Sequence, residues 1–270
     1  MTLKTQQVGR DNLPLVSIIT PSFNQVRFLE ETMRSALEQD YPRIEYIVMD
    51  GGSTDGSIEI IKKYEAHLAY WESTADKGQT DAINKGFGRA SGEILAWLNS
   101  DDLLLPGAVS SAVRFLQAHP EVGMVYGDAI FINAEGEKIG NFSAAQTDLK
   151  RLQRGYVHIP QQAAFFRADL WHKVGPLDTS FYFAMDYDLW VRLAREAQLL
   201  YVPELWASFR LHGDTKTIAE DDRCWPEMLC VHYRNGGSKF SAIVAKYYVR
   251  KLAAPLLVWR RRRMINKRNT

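Results

Sequence analysis

Two apolar runs of this sequence end in carboxylates, and the residues just beyond each end suit a hydroxylated or phosphorylated ligand. Glu93-Ile94-Leu95-Ala96-Trp97-Leu98-Asn99-Ser100-Asp101-Asp102 closes in two adjacent acids. Side by side they repel, unless a cation or a ligand's hydroxyl groups take up the charge. Ile44 to Met49 closes in Asp50-Gly51-Gly52-Ser53-Thr54-Asp55-Gly56, whose glycines let backbone pass close to a ligand. An Asp at such a strand end can accept from a base N–H or a ribose hydroxyl. The chain has no Gly-x-Gly-x-x-Gly turn for a dinucleotide and no Gly-x-x-x-x-Gly-Lys-Ser/Thr loop for phosphates. A phosphate-bearing substrate would then need a divalent cation, and Asp101 and Asp102 offer the oxygen ligands that hard cations take. Plainer readings stand beside these. Asp102 can N-cap the next helix with Asp101 solvated, and 50–56 can be a turn in which Asp55 caps the helix after it.

The elements that must position these groups alternate. Leu15 to Thr20 reads as a strand, followed by Pro21 and Asn24 as turn signals, and Phe28, Leu29, Met33, Ala36 and Leu37 then recur at helical spacing. Strand, helix, strand, turn and helix begin a parallel sheet with right-handed crossovers, which places the ends at Asp50 and at Asp101–Asp102 on one edge. Trp71 to Ser73 is a short third strand, and Ile94 to Leu98 is a fourth, buried on both faces. Pro106 is expected at the first position of the helix after it. Val122 to Ile132 is a strand turning through Asn133–Gly136. Further on, helices are expected at Leu149–Gln153, Leu170–Val174, Asp186–Ala197, Glu220–Arg234 and Ser241–Arg263, with strands at Ala163–Phe166 and near Leu199–Val202. Asp188 lies near the positive N-terminus of the Asp186 helix.

The chain has 270 residues, 46% hydrophobic and 24% charged, as in an ordinary globular protein with one large α/β domain and appendages. The net charge of +1 conceals a polarity. From Lys239 onward there are ten Lys or Arg and no acid, leaving 23 basic against 32 acidic residues before it. In this tail Tyr247, Tyr248, Leu252, Leu256, Leu257, Val258 and Trp259 interleave with the cations, a composition suited to an anionic membrane surface. A helix packed on the acidic body or an oligomer contact would use the same residues. No nucleic-acid motif is present, so no nucleic acid is expected as partner. Cys224 and Cys230 fit neither a zinc pattern nor a disulfide framework and read as free thiols. Met1 to Asn12 lacks a signal peptide's apolar core, and no window of ~18 residues is apolar enough to span a membrane. The expectation is a cytoplasmic protein.

The ordered set Val16-Ser17-Ile18-Ile19-Thr20-Pro21-Ser22-Phe23-Asn24, Asp50 to Gly56, Asp76-Lys77-Gly78, Asp81-Ala82-x-Asn84-x-Gly86 and Leu98 to Asp102 resembles glycosyltransferase family 2. Met185-Asp186-Tyr187-Asp188-Leu189-Trp190 resembles its acceptor-side acidic motif, so the likeness runs from about Val16 to His212. It implies an α/β GT-A fold with a Rossmann-like sheet. Residues 1–14 would be a polar lead-in, 15–135 a nucleotide-sugar half, 136–219 an acceptor and catalytic-base half, and 220–270 a basic helical extension. It also implies inverting transfer from a nucleoside diphosphate sugar with Mg²⁺ or Mn²⁺, to a glycan or lipid-linked acceptor of a bacterial-type surface polysaccharide.

Carried over by position, Thr20, Pro21 and Asn24 would line the nucleotide pocket and Asp50 would hold the base. Asp101 would lie at ribose or metal, and Asp102 close to metal and diphosphate. Asp55, Lys77, Gln79 and Asn99 belong to the same donor-binding set, although Lys77 and Gln79 also fit a solvated loop. Asn99 stands where many members have Asp, which leaves the division of labour among Asn99, Asp101 and Asp102 open. By resemblance Asp186 is the general base, with Asp188 read as a carboxylate at a helix N-terminus. His212 stands where some relatives place a basic or metal-binding residue, and His158, Gln161 and Gln162 are candidates for the acceptor side. A nucleotidyltransferase would show a glycine-rich basic loop after the first strand, which Pro21-Ser22-Phe23-Asn24 is not. A catalytically silent nucleotide-sugar-binding protein is the remaining alternative.

Overall fold

Strands that alternate apolar residues onto two covered faces form the middle of the protein. The computed structural model describes residues 13–213, 221–249 and 251–252. Its first half runs β1 (Val16–Ser22), α1 (Leu29–Leu37), β2 (Ile44–Asp50), α2 (Ser57–Lys63), β3 (Tyr70–Ser73), α3 (Gln79–Arg89), β4 (Ile94–Trp97), β5 (Leu103–Leu104) and α4 (Ala108–Ala118). The second half runs β6 (Val122–Ile132), β7 (Lys138–Phe142), α5 (Leu149–Gln153), β8 (Ala164–Arg167), α6 (Ala168–Val174), α7 (Met185–Glu196), β9 (Gln198–Arg210) and α8 (Asp221–Arg234).

The described strands form one nine-stranded sheet, ordered β3-β2-β1-β4-β8-β6-β9-β5, with β7 added on β6. β1 pairs in parallel with both β2 and β4. The chain thus winds outward from β1 to one side and then restarts on the other, and a ligand crevice forms at such a reversal, beyond the carboxyl ends of the strands. β8 is antiparallel to both its neighbours, so the sheet is mixed. Ile19, Ile47, Leu95 and Trp97 face one core with Phe87 and Trp190, while Ile18, Val48, Ile94 and Ala96 face the other with Met33, Val109 and Leu116. This two-sided burial is why the central strands read as unbroken apolar runs. A Cβ on Gly86 would come within 2.5 Å of Ile19 Cγ2, so the glycine lets α3 lie directly on β1.

Several boundaries differ from the sequence expectation for local reasons. Pro106 is not the first helical residue; α4 begins at Ala108 behind Gly107, which adopts a φ of 83°. The strand expected near Leu199–Val202 runs to Arg210 despite Pro203. Between the pairs Tyr126–Tyr201 and Asp128–Leu205 the register shifts, so three residues of β9 oppose one of β6. A proline without an N–H fits in that bulge. β5, only two residues long, was invisible to periodicity because β9 alone creates it. The Asn133–Gly136 turn forms as expected, and Cys224 and Cys230 are free. Of the helix expected over Ser241–Arg263, residues 242–249 are helical and those from 253 onward lie outside the described residues. Among the described residues no helix is long and apolar enough to cross a membrane.

Candidate active site

The carboxyl ends of β1, β2 and β4 stand side by side at the reversal, in the register Ser22–Asp50 and Ile19–Trp97. Asp50 is buried, and its carboxylate is occupied by its own turn and by the end of β3. Gly52 N–H (3.1 Å), Ser53 N–H (2.9 Å) and Ser73 Oγ (2.6 Å) donate to Oδ2, while Ser53 Oγ donates to Oδ1 (2.5 Å). Four donors use the roughly four lone-pair directions of a carboxylate. These bonds make Asp50 the organiser of the turn. Asp55 fastens the opposite side of that turn, accepting from Val26 N–H (2.9 Å), Ser57 N–H (3.0 Å) and Ser57 Oγ (2.6 Å). Burial pushes its carboxyl upward, but the Ser57 and Val26 donors together outweigh that and hold it below its ordinary value. Asn24, at a φ of 52°, donates its N–H to Ser53 Oγ (2.7 Å) and accepts from Thr54 N–H (2.9 Å). Thr20 and Pro21 are buried within β1, and Thr20 Oγ1 lies 2.9 Å from Tyr46 Oη. Asn24 and Asp55 are exposed at this strand end, whereas Thr20 and Pro21 lie beneath it. Phe23, beside Asn24, is an exposed large hydrophobic side chain at this strand end, to which the sequence reading gave no role of its own.

After β4 the two acids part. Asp102 is 0% exposed. It accepts Arg210 N–H at Oδ1 (2.9 Å) and the Asn99 amide at Oδ2 (3.2 Å). Burial, and then the neighbouring Asp101 charge, push its carboxyl well above its ordinary value against those donors and the Arg210 charge. Solvent does not reach the residue read as nearest to metal and diphosphate. Asp101 keeps 18% of its side chain exposed, and its Oδ2 meets His212 Nε2 at 3.1 Å. The His212 ring packs on Phe28 with centroids 4.7 Å apart.

Asn99 joins the two sides of the crevice. It accepts from Gln79 Nε2 (2.6 Å) and donates to Asp102 Oδ2 and to Gln161 Oε1 (3.2 Å each). Gln161 in turn donates to the Trp97 carbonyl (2.7 Å), which ties it to the end of β4. Lys77 is exposed. His158 stacks on Tyr156 and hydrogen-bonds the Ser143 carbonyl, and Gln162 is buried.

Arg210 was missed in the sequence because a lone arginine at a strand end signals nothing. It is 1% exposed and ties the site together. Its Nε donates to the Asp101 carbonyl (2.9 Å), its Nη1 to the Asn133 and Ala134 carbonyls (3.2 Å each), and its Nη2 to Glu31 (2.5 Å). The guanidinium fork suits such a hub, because its donors leave in fixed divergent directions.

Across the crevice α7 begins with Met185–Asp186. Its approach to β4 is set by Trp190, one turn further on, stacked on Trp97 at 5.5 Å and 20°. Asp186 accepts the Tyr187 N–H at Oδ1 (2.6 Å). Burial pushes its carboxyl up to about 6, in spite of that donor. A carboxylate near this value can take a proton at neutral pH and part with it again. Asp188 has a structural partner instead. It pairs with Arg192 (2.8 Å), which donates to the carbonyls of Val174, Gly175 and Pro176.

Comparison with known proteins agrees with this geometry. A glycosyltransferase of Mycobacterium tuberculosis, described as uncharacterized, is 35% identical over 183 residues, covering 67% of this chain and 69% of its own. One from Rickettsia bellii is 29% identical over 225 residues, 78% of this chain but 32% of its own. Among solved structures, Staphylococcus aureus TarS 1–349 with UDP-GlcNAc has a TM-score of 0.66 at 17% identity, over 82% of this chain and 66% of that one. The mannosyltransferase PcManGT of Pyrobaculum calidifontis, with GDP-Man and Mn²⁺, has a TM-score of 0.59 at 20% identity, over 93% and 84%. The architecture, a mixed sheet flanked by helices with its crevice at the strand reversal, is the GT-A fold. Residues 17–175 match the family described as Glycosyl transferase family 2, and with this fold and these relatives the chain belongs to that family.

Proposed function

We propose that the protein transfers a sugar, with inversion, from a nucleoside diphosphate sugar to a hydroxyl of a glycan or lipid-linked acceptor in surface polysaccharide synthesis. The observations that carry this reading are the meeting of a partly exposed Asp101 carboxylate with the His212 imidazole beyond β4 (3.1 Å) and, at the start of α7, the Asp186 carboxyl pushed up to about 6. Asp186 takes the proton of the acceptor hydroxyl as that oxygen bonds to the anomeric carbon and the bond to the diphosphate breaks. One displacement with one base inverts the centre. The Asn24 and Asp50 turns shape the donor side, and Asn99 links Gln79 to the floor of the site.

Mg²⁺ or Mn²⁺ suits the donor set. Asp101 Oδ2 and His212 Nε2 are close enough to share one ion, and no cluster of three His, Cys, Asp or Glu forms a complete cage among the described residues. Such an ion is completed by substrate phosphates. When bound, it neutralises charge on the departing diphosphate. This assigns the cation to Asp101 and His212, with Asp102 as the buried wall behind them.

The acidic body with its basic tail supports a cytoplasmic enzyme resting on an anionic membrane. Phe240 is 99% and Leu252 81% exposed, near Lys246 and Lys251. Apolar side chains beside cations fit a lipid headgroup boundary. Co-flotation with anionic liposomes, lost on deleting 246–270, tests this part; equal flotation rejects it.

A thermal-shift series with UDP-GlcNAc and GDP-mannose, each with and without Mn²⁺, tests the central reading, since a bound donor raises Tm by mass action. A shift that needs Mn²⁺, together with release of UDP or GDP, is the expected result. Shifts identical in EDTA would remove the cation, and a shift without any release would favour a silent binding protein.

A further inference from the structure

The helix that carries Asp186 has no cap of its own. Its N-cap residue is Ala184, whose side chain offers no acceptor. The N–H groups of Tyr182, Phe183 and Ala184 converge instead on one carboxylate from α8, far along the chain. Glu227 accepts from Tyr182 at both oxygens (3.1 and 3.0 Å), and from Phe183 (2.7 Å) and Ala184 (3.0 Å) at Oε2. Successive N–H groups curved around an anion form a nest, a geometry that otherwise collects free anions. The rest of α8 secures the same loop. Arg234 pairs with Asp178 at 2.8 Å and lies over the Phe181 ring at 4.9 Å. From the other side, α3 holds it through Thr80 Oγ1 to the Phe181 carbonyl (3.2 Å) and two bonds between Asn84 and the backbone of Leu177 (2.9 Å each). Cys224, one turn before Glu227, borders Asp186; its thiol is pushed up to about 11 by burial and by the Asp186 and Glu227 charges, so it adds no further charge there.

We infer that Glu227 is the positioning residue for the catalytic base: α8, which lies beyond the family match at residues 17–175, holds the 182–184 loop and so fixes Asp186 against the acceptor hydroxyl. It acts on turnover and not on the donor, because its contacts lie on the α7 side of the crevice, whereas the Asp50 and Asp101 groups hang from β2 and β4. The inference rests on Asp186 being the base.

The test compares wild type, Glu227→Ala, Glu227→Gln and Asp186→Asn, using whichever of UDP-GlcNAc or GDP-mannose with Mn²⁺ stabilises the wild type. Glu227→Ala should keep donor half-saturation within about twofold, while release of the nucleoside diphosphate falls about 10- to 100-fold, the scale of a misplaced reacting group. The acid limb of turnover should move down from near pH 6 as water reaches Asp186. Amides 182–187 should exchange faster, with those of β1 and β2 unchanged. Glu227→Gln, which keeps an oxygen acceptor, should recover part of the loss. Should Glu227→Ala not fold, Glu227→Asp, one methylene shorter, takes its place with the same readings. A folded variant with wild-type turnover and pH limb overturns the inference, as does a fall in donor binding that parallels the fall in turnover. If Asp186→Asn stays active, the base assignment and this inference fall together. If Asp186→Asn is dead while Glu227→Ala behaves as wild type, only this inference falls.

Discussion

Replacing Asp186 by Asn should make the protein more stable and nearly inactive, and the stability gain should depend on pH in a way no cap substitution would. The Asp186 carboxyl is pushed from 3.8 to about 6 by burial. A carboxyl with a raised folded value binds its proton more tightly in the folded state, so ionising it costs stability. Below pH 4 both states are protonated and the penalty is absent; it grows between pH 4 and 6 and is complete above 6. At 1.36 kcal/mol for each unit, about two units give roughly 3 kcal/mol as a ceiling, and because the residue is only half-buried this comes down to about 2. Asn carries no charge, and its Oδ1 can still accept the Tyr187 N–H, so the helix start is kept. Urea unfolding of wild type and Asp186→Asn from pH 4 to 8 measures the difference directly. Asn should be the more stable by about 2 kcal/mol at pH 8, with the gap closing near pH 4, while turnover falls about 10²- to 10⁴-fold. A variant that is destabilised, or whose difference does not vary with pH, would refute the reasoning and leave Asp186 as a helix cap.

Asn99→Asp should weaken the protein rather than improve cation binding. An acid there cannot donate to Asp102 or Gln161, and it sets a third carboxylate against a buried one. The unfolding midpoint should drop at pH 8 and recover towards pH 5, as read by urea titration at both values; an unchanged midpoint at pH 8 would reject the network. Arg210→Met should cost about 3 kcal/mol or more, because it strands the Asp101, Asn133 and Ala134 carbonyls, each worth ~1–3 kcal/mol when left unpaired. It should also abolish the Mn²⁺ response by releasing Asp101; a stable variant with a normal Mn²⁺ shift would show that the hub is not required. Asp101→Asn with His212→Ala should remove Mn²⁺-dependent donor binding in calorimetry while Asp102→Asn retains it. The opposite ranking would return the cation to Asp102.

The legible and the hidden parts of this molecule divide along one physical line. Local patterns carried the element order: both-face burial at Ile18–Ile19 and Leu95–Ala96 reads as unbroken apolar runs, and the glycines of 50–56 read as a turn whichever ligand lies above it. The end of β4 was legible as a place where acids gather, but not as a division of labour. Whether Asp101 or Asp102 meets solvent depends on which oxygen finds Arg210, 108 residues on from Asp102, and that pairing exists only after β9 has been laid beside β6. Asn99 looked like a departure from a carboxylate pattern. In the structure its amide does what a carboxylate could not, donating to the buried Asp102 while accepting from Gln79. Asp186 stood out through its motif, yet its raised carboxyl was not legible, because it depends on how the start of α7 is seated, with Trp190 stacked on Trp97 and α8 bringing Glu227 and Cys224 to that end. A residue's type and immediate neighbours therefore announce that it can do chemistry. Its protonation, its exposure and its partner are settled by contacts from strands and helices a hundred residues away, and a sequence read in windows cannot supply these.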